Sequence, residues 1–187
     1  MEQVSNDDFD FLLLRMQKKF PLKTGKEKKE EGEQWQDFGM DFSIRIPEGF
    51  KRAEEEKVSA IFQSEKRPAV ILTAREGKEG FTFQFLSREM EGESLSHCKE
   101  RIKQIIGQLD ERWVFYSQGE LSGTVWFDYK SFAEKERVYN LVFLFQTGSR
   151  KVLGTFFCLF EEYDRWKPRV LKLLETIRTK EEVHERL

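Results

Sequence analysis

Residues 139–160 read YNLVFLFQTGSRKVLGTFFCLF. In the first half Leu141, Phe143 and Phe145 alternate with Val142 and Leu144; in the second, Phe156, Cys158 and Phe160 alternate with Leu153, Phe157 and Leu159. The period of two predicts two strands, and Gly148-Ser149-Arg150-Lys151 predicts a short turn between them. Both alternation classes are apolar in each strand, so each must be covered on both faces. The helices legible elsewhere can cover one face. The second cover is left to the N-terminal helix, a subunit partner or a bound client.

Working outward, Trp113 to Ser117 and Thr124 to Phe132 predict further strands of the same meander. Upstream, Phe42, Ile44 and Ile46 alternate with polar residues until Pro47-Glu48-Gly49 forces a turn. Lys57 to Phe62 and Ala69 to Ala74 are expected to pair around Gln63 to Pro68, and Phe81, Phe83 and Phe85 mark another strand. Four strands pass without a long helix, which favours antiparallel pairing, since parallel strands need long crossovers. From Ser94 the period changes: Leu95, Cys98, Ile102, Ile105, Ile106 and Leu109 lie on one helical stripe. A last helix carries Trp166, Val170, Leu173, Leu174 and Ile177 and is expected to begin close to Pro168, because proline is tolerated in an opening turn. The fold class is α+β, a central, mostly antiparallel sheet flanked by helices.

Phe9, Leu12, Leu13, Met16 and Phe20 stand at helical spacing behind possible caps Ser5, Asn6 and Asp7. The expected organisation is an amphipathic helix over 1–20, a charged linker over 21–34, one domain over 35–179 and a frayed tail over 180–187. The linker holds too little apolar surface to offset its ordering entropy. The 187 residues carry 32 Lys+Arg against 34 Asp+Glu, and that balance argues against nucleic acid as the main partner. No stretch approaches the ~18 apolar residues of a membrane span. Phe9 to Leu14 lacks a basic leader and a cleavage site. With Cys98 and Cys158 far apart and no disulfide framework, a reduced, cytoplasmic protein is the expectation.

Catalytic patterns are scarce. The two histidines, His97 and His184, fall on a helix and in the tail, away from any ligand cluster. Ser96, His97 and Cys98 are adjacent on a helix and point about 100° apart, so they form no nucleophile and base pair. Gly119 to Gly123 lacks the spacing of a nucleophile elbow, and no glycine-rich loop leads to a Lys-Ser/Thr pair for phosphate. No metal or cofactor is implied, and the chain reads as non-enzymatic. Thr124, Trp126, Asp128 and Lys130 share one strand face that reads as the wetter one. Trp126, Tyr129 and Phe132 are candidate rim contacts of a partner surface, and Phe9, Leu13 and Met16 a candidate exchanged element. The leading expectation is a protein-interaction or adaptor module using its Phe-rich sheet face for partner binding or a homodimer. The alternative is a binder of a small apolar ligand between sheet and helices.

Four stretches carry a resemblance: Met40-Asp-Phe-Ser-Ile-Arg-Ile-Pro-Glu-Gly-Phe50, the Tyr139-Asn140 strand start, Gly154-Thr-Phe-Phe-Cys158, and Trp166-Lys167-Pro168 with the helix behind it. Together with the element order they resemble the PsbP and Mog-like superfamily, most of all its bacterial domains of unknown function. The resemblance implies a central antiparallel sheet flanked by helices. It implies action mostly without enzyme chemistry, as in a photosystem subunit, a binder of a small GTPase and adaptor chaperones for secretion effectors. The expected absence of a signal or lipobox sets this chain apart from secreted members, and no metal or GTPase contact residue of other members has a match here.

Overall fold

The computed structural model describes residues 32–54, 58, 67–133 and 135–180. Phe9, Leu13, Met16, His184 and the expected N-terminal helix lie outside the described residues.

Ten strands and two long helices are described. The strands are β1 (Glu33–Asp37), β2 (Phe42–Pro47), β3 (Lys51–Arg52), β4 (Val70–Ala74), β5 (Glu79–Phe85), β6 (Val114–Leu121), β7 (Thr124–Ala133), β8 (Glu136–Thr147), β9 (Arg150–Leu159) and β10 (Arg178–Thr179). Helix α1 spans Leu95–Leu109 and α2 spans Tyr163–Leu174. Seven strands form the main sheet in the order β3-β4-β5-β9-β8-β7-β6, and β1-β2-β10 form a second. Every ladder among them is antiparallel. The fold class is therefore the expected α+β sandwich.

The hairpin that decides the fold, β8–β9, sits inside the main sheet, and its two apolar faces enter two separate cores. On one face Val142, Leu144 and Leu153 join Phe127, Tyr129 and the α1 stripe of Cys98, Ile102 and Ile106. On the other, Phe143, Phe145, Phe156 and Cys158 join Phe81 and Phe83, and α2 with Trp166, Val170 and Leu173 closes over them beside Phe42, Ile44 and Ile46 of the small sheet. The second cover left open by the sequence is supplied by the chain itself: α2 and the small sheet on one side, α1 on the other. Burying side chains this large contributes ~1.5–3 kcal/mol each before ordering costs.

Local chemistry sets the joints. Ser94 caps α1, its Oγ accepting from the His97 N–H at 3.2 Å. Ser122-Gly123 turns β6 into β7 with φ of 48° and 76°, the primed geometry that matches strand twist. Gly154 faces Phe143 in the β8–β9 register, where any side chain would collide with the ring.

Several expectations shift. Glu33 and Gln34, placed in the linker, belong to β1, which is held in register by β2. Of the strand expected over Lys57–Phe62 only Val58 is described, and it is helical, its N–H reaching Glu54 O at 2.9 Å. The partner of β4 is instead the two-residue β3. Helix α2 begins at Tyr163, not near Pro168, which stands inside it. Burial of Trp166 against Phe50 and Phe156, with ring centroids at 5.6 and 5.1 Å, fixes this turn and offsets the hydrogen bond that proline removes. The helix ends at Leu174, so Ile177 follows it, and Arg178–Thr179 pair with β2. Among the described residues no helix is long and apolar enough to cross a membrane.

Candidate functional site

A β-bulge in β6 builds a polar knot in the interior. The β6–β7 register slips between Phe115 and Gln118, so that Tyr116 and Ser117 together stand opposite Asp128. The slip re-aims Ser117 toward the α2 side of the sheet. Asp128 is 1% exposed. Its Oδ1 accepts from the Ser117 N–H at 2.7 Å and the Ser117 hydroxyl at 3.0 Å, and its Oδ2 from the Tyr139 hydroxyl at 2.8 Å. Lys167 Nζ of α2 lies 2.6 Å from the same Oδ2 and also donates to Ser117 Oγ.

Four donors meet the roughly four lone-pair positions of one carboxylate, which leaves Asp128 no acceptor capacity for a substrate or metal. Lys167 stands as a donor to both Asp128 and Ser117 Oγ, and the Ser117 hydroxyl in turn donates to Asp128, so the three are arranged as a closed hydrogen-bond knot and not as a nucleophile with a free base. Burial, then the Asp128 charge, pushes the Tyr139 phenol well above its usual range, so it stays a neutral donor. The arrangement is a latch that fastens α2 to the bulged strand. Lys167 also passes 5.4 Å from the Trp126 ring.

From this latch an aromatic row runs to the surface. Tyr139 lies 5.7 Å from Tyr163, Tyr163 stacks 5.0 Å from Phe160, and Phe160 stacks 6.0 Å from Tyr116. Lys130 and Arg137 sit 5.3 and 5.6 Å from the Phe160 ring. Among the described residues Tyr116, 50% exposed, and Val114, 40% exposed, are two of the three large apolar side chains that face solvent; Trp35 is the third. Both stand on β6, the last strand of the main sheet, whose outer edge pairs with no described strand.

A second ionic knot joins β5 to the start of α2. Arg75 bonds Glu79 through Nε at 2.9 Å and through Nη2, which also bonds Glu162. The Glu79 carboxylate is buried and holds the Arg75 guanidinium above its usual range. Cys158 lies beneath, its thiol pushed up chiefly by burial. Among the described residues no group of His, Cys, Asp and Glu is arranged to hold a metal ion.

The sheet separates the three residues expected at a rim. Trp126 joins the core on the α2 side and is 8% exposed, whereas Tyr129 joins the α1 core, 2% exposed and 5.4 Å from the Trp113 ring. Phe132 is half-buried with Arg112 and Lys130 over its ring. The face of Thr124, Trp126 and Asp128 that reads as wetter is buried, because α2 covers it. Sequence reasoning missed the latch. Its members come from three strands and a helix, and the one local signal is Asp128 itself, a charge amid Val125-Trp-Phe127 and Tyr129 that demanded a buried partner.

No protein-family model matches the chain, and no curated protein matches it in sequence. Solved structures do match in shape. Cyanobacterial PsbP (CyanoP) from Synechocystis sp. PCC 6803 aligns with a TM-score of 0.56 at 9% identity over 84% of this chain and 97% of its own. The Saccharomyces cerevisiae Ran-binding protein Mog1p aligns with a TM-score of 0.53 at 12% identity, covering 80% and 96%. A Mog1 mutant aligns with a TM-score of 0.53 at 13% identity, covering 79% and 96%. With the sheet order, the two flanking helices and these alignments in hand, the fold of this chain is the PsbP/Mog1-like fold.

Proposed function

We propose that this chain is a non-catalytic protein-interaction module whose contact surface is the free rim of the main sheet at β6, with a second copy of the chain as its simplest partner. The observation that carries this reading is the β6 edge. It is eight residues long, contains neither lysine nor proline, and bears Val114 and Tyr116 in solvent, with the bulge at Tyr116–Ser117 as the one interruption of its edge. The faces of the Phe-rich sheet are filled by the chain's own helices and small sheet, so the contact moves from face to rim. Antiparallel pairing of β6 with its copy is isologous and closes as a symmetric dimer. The fold neighbour described as Ran-binding supports the binding class, and fold alone carries no partner identity. Phe9, Leu13 and Met16 form the second contact element of this reading.

Light scattering coupled to size exclusion tests it at several concentrations. The full chain is expected to dimerise, and Val114→Lys with Tyr116→Glu to leave a folded monomer. A chain beginning at Glu31, which preserves β1, loses the dimer if the N-terminal element is exchanged. A full chain that is monomeric throughout removes the second copy as partner.

A further inference from the structure

The small sheet overhangs the main one, and the overhang opens a cleft that neither the latch nor the β6 rim uses. Gln34 and Gln36 pair with Ile46 and Ile44, which puts them on the inward face of β1, the face that β2 buries in the core. Past the end of that core the two amides instead line a cavity of about 360 Å³. Phe38, half-buried, is the apolar side chain that it exposes; Phe50 and Leu72 lie at its base and are almost wholly buried. Two of these are held rigidly, Phe38 stacked 5.1 Å from Phe83 and Phe50 edge-on to Phe81 at 5.1 Å.

Arg52 closes the cleft. It pairs with Leu72 and so stands on the core face of the sheet, at its outermost strand. It is exposed and has no carboxylate partner among the described residues, and the same holds for Lys51 beside it. The one acidic residue of the lining, Asp37, turns its Oδ1 to the Gly39 N–H at 2.8 Å.

One accessible ring held in place by its neighbours, two free amides and an unpaired guanidinium at one end are the parts of a small, mainly polar site. We infer that this cleft between β1 and β3 binds a small amphipathic monocarboxylate, its apolar body against the ring of Phe38 and its carboxylate on Arg52, with Gln34 and Gln36 as further donors. A guanidinium recognises a carboxylate through two parallel hydrogen bonds, and such charge-assisted contacts separate an acid from its neutral amide. The volume suits a body the size of one aromatic ring with a short chain.

The test uses 4-phenylbutyrate and its uncharged counterpart 4-phenylbutyramide, titrated into the full chain and followed by NMR of the glutamine side-chain amides and by calorimetry. The acid is expected to bind one site with Kd below about 1 mM, to shift the Gln34 and Gln36 amide signals, and to bind about tenfold more tightly than the amide, the difference one charge-assisted contact supplies. Arg52→Ala, a substitution of an exposed side chain, should weaken the acid about tenfold and leave the amide unchanged, while Lys103→Ala on α1 alters neither. Absence of saturable binding, equal affinity for acid and amide, or full retention in Arg52→Ala overturns the proposal. Since β6 takes no part, dimer-deficient Val114→Lys with Tyr116→Glu keeps this binding if both readings hold.

Discussion

Phe143 lays its ring on the bare Cα of Gly154: a Cβ built there stands 2.2 Å from the ring's Cε2 and Cζ. The two face each other across the β8–β9 ladder, at the centre of the main sheet, where neither backbone can retreat. Gly154→Ala is therefore expected to cost about 3 kcal/mol, the upper range for overpacking a filled core. Phe143→Ala alone should cost about 3–5 kcal/mol through the cavity it leaves. The double variant should cost clearly less than the sum, because the smaller ring position makes room for the new methyl. Urea denaturation of the four proteins measures this, and strict additivity would show that the close approach carries no strain.

Two other glycines separate conformation from space. Gly123 holds φ of +76° in open surroundings, while Gly92 has open surroundings and an ordinary backbone. Gly123→Ala should cost about 1 kcal/mol for the left-handed conformation. Gly92→Ala should be neutral or stabilising by about 0.5 kcal/mol, since it only reduces the freedom of the unfolded chain. Thermal melts of the pair decide it.

The latch gives a coupled prediction. Lys167→Met leaves the Asp128 carboxylate buried without its cation, and with Lys167 about a quarter exposed the cost is about 2 kcal/mol, below the 3–5 of a fully buried pair. Tyr139→Phe removes one neutral-to-charged hydrogen bond and should cost about 1.5–3 kcal/mol. Combining Lys167→Met with Asp128→Asn should cost less than the two separately, a coupling of about 1 kcal/mol or more in a double-mutant cycle. Additive losses would mean that α2 is held by its apolar face alone.

Alkaline pH should destabilise the fold in two stages. Burial raises the Cys158, Cys98 and Tyr139 groups above their unfolded values. Above the unfolded thiol value of about 8.5, and again above about 10 for the phenol, the unfolded chain releases protons that the folded chain keeps. The folded state then binds more protons than the unfolded one, so stability falls as pH rises. Urea midpoints measured from pH 7 to 10.5 should decline from about pH 8.5 upward, and in the folded protein neither thiol should react with Ellman's reagent. Cys98→Ala with Cys158→Ala should remove the first stage.

The central strands were legible because their signal is local: period two in residues 139–160 names strands, and apolar character in both classes demands a two-sided cover. The α1 stripe was legible for the same reason. The errors fall where tertiary contact overrides local rules. Pro168 reads as an opening-turn residue, yet Trp166 buried among Phe50 and Phe156 starts the helix five residues earlier. Glu33 and Gln34 read as linker, yet a ladder to β2 makes them strand.

By itself the sequence determined the element types of the β8–β9 hairpin and of α1, the antiparallel character of the sheet, and the need for cover on both sheet faces, since periodicity and burial demand act through neighbours in the chain. The tertiary structure decided what answers that need, where β6 breaks register so that Ser117, Asp128, Tyr139 and Lys167 meet, and where β1 outruns the core to leave Gln34 and Gln36 above a cleft. Those choices depend on which distant strands become neighbours, and no spacing within a single strand encodes that.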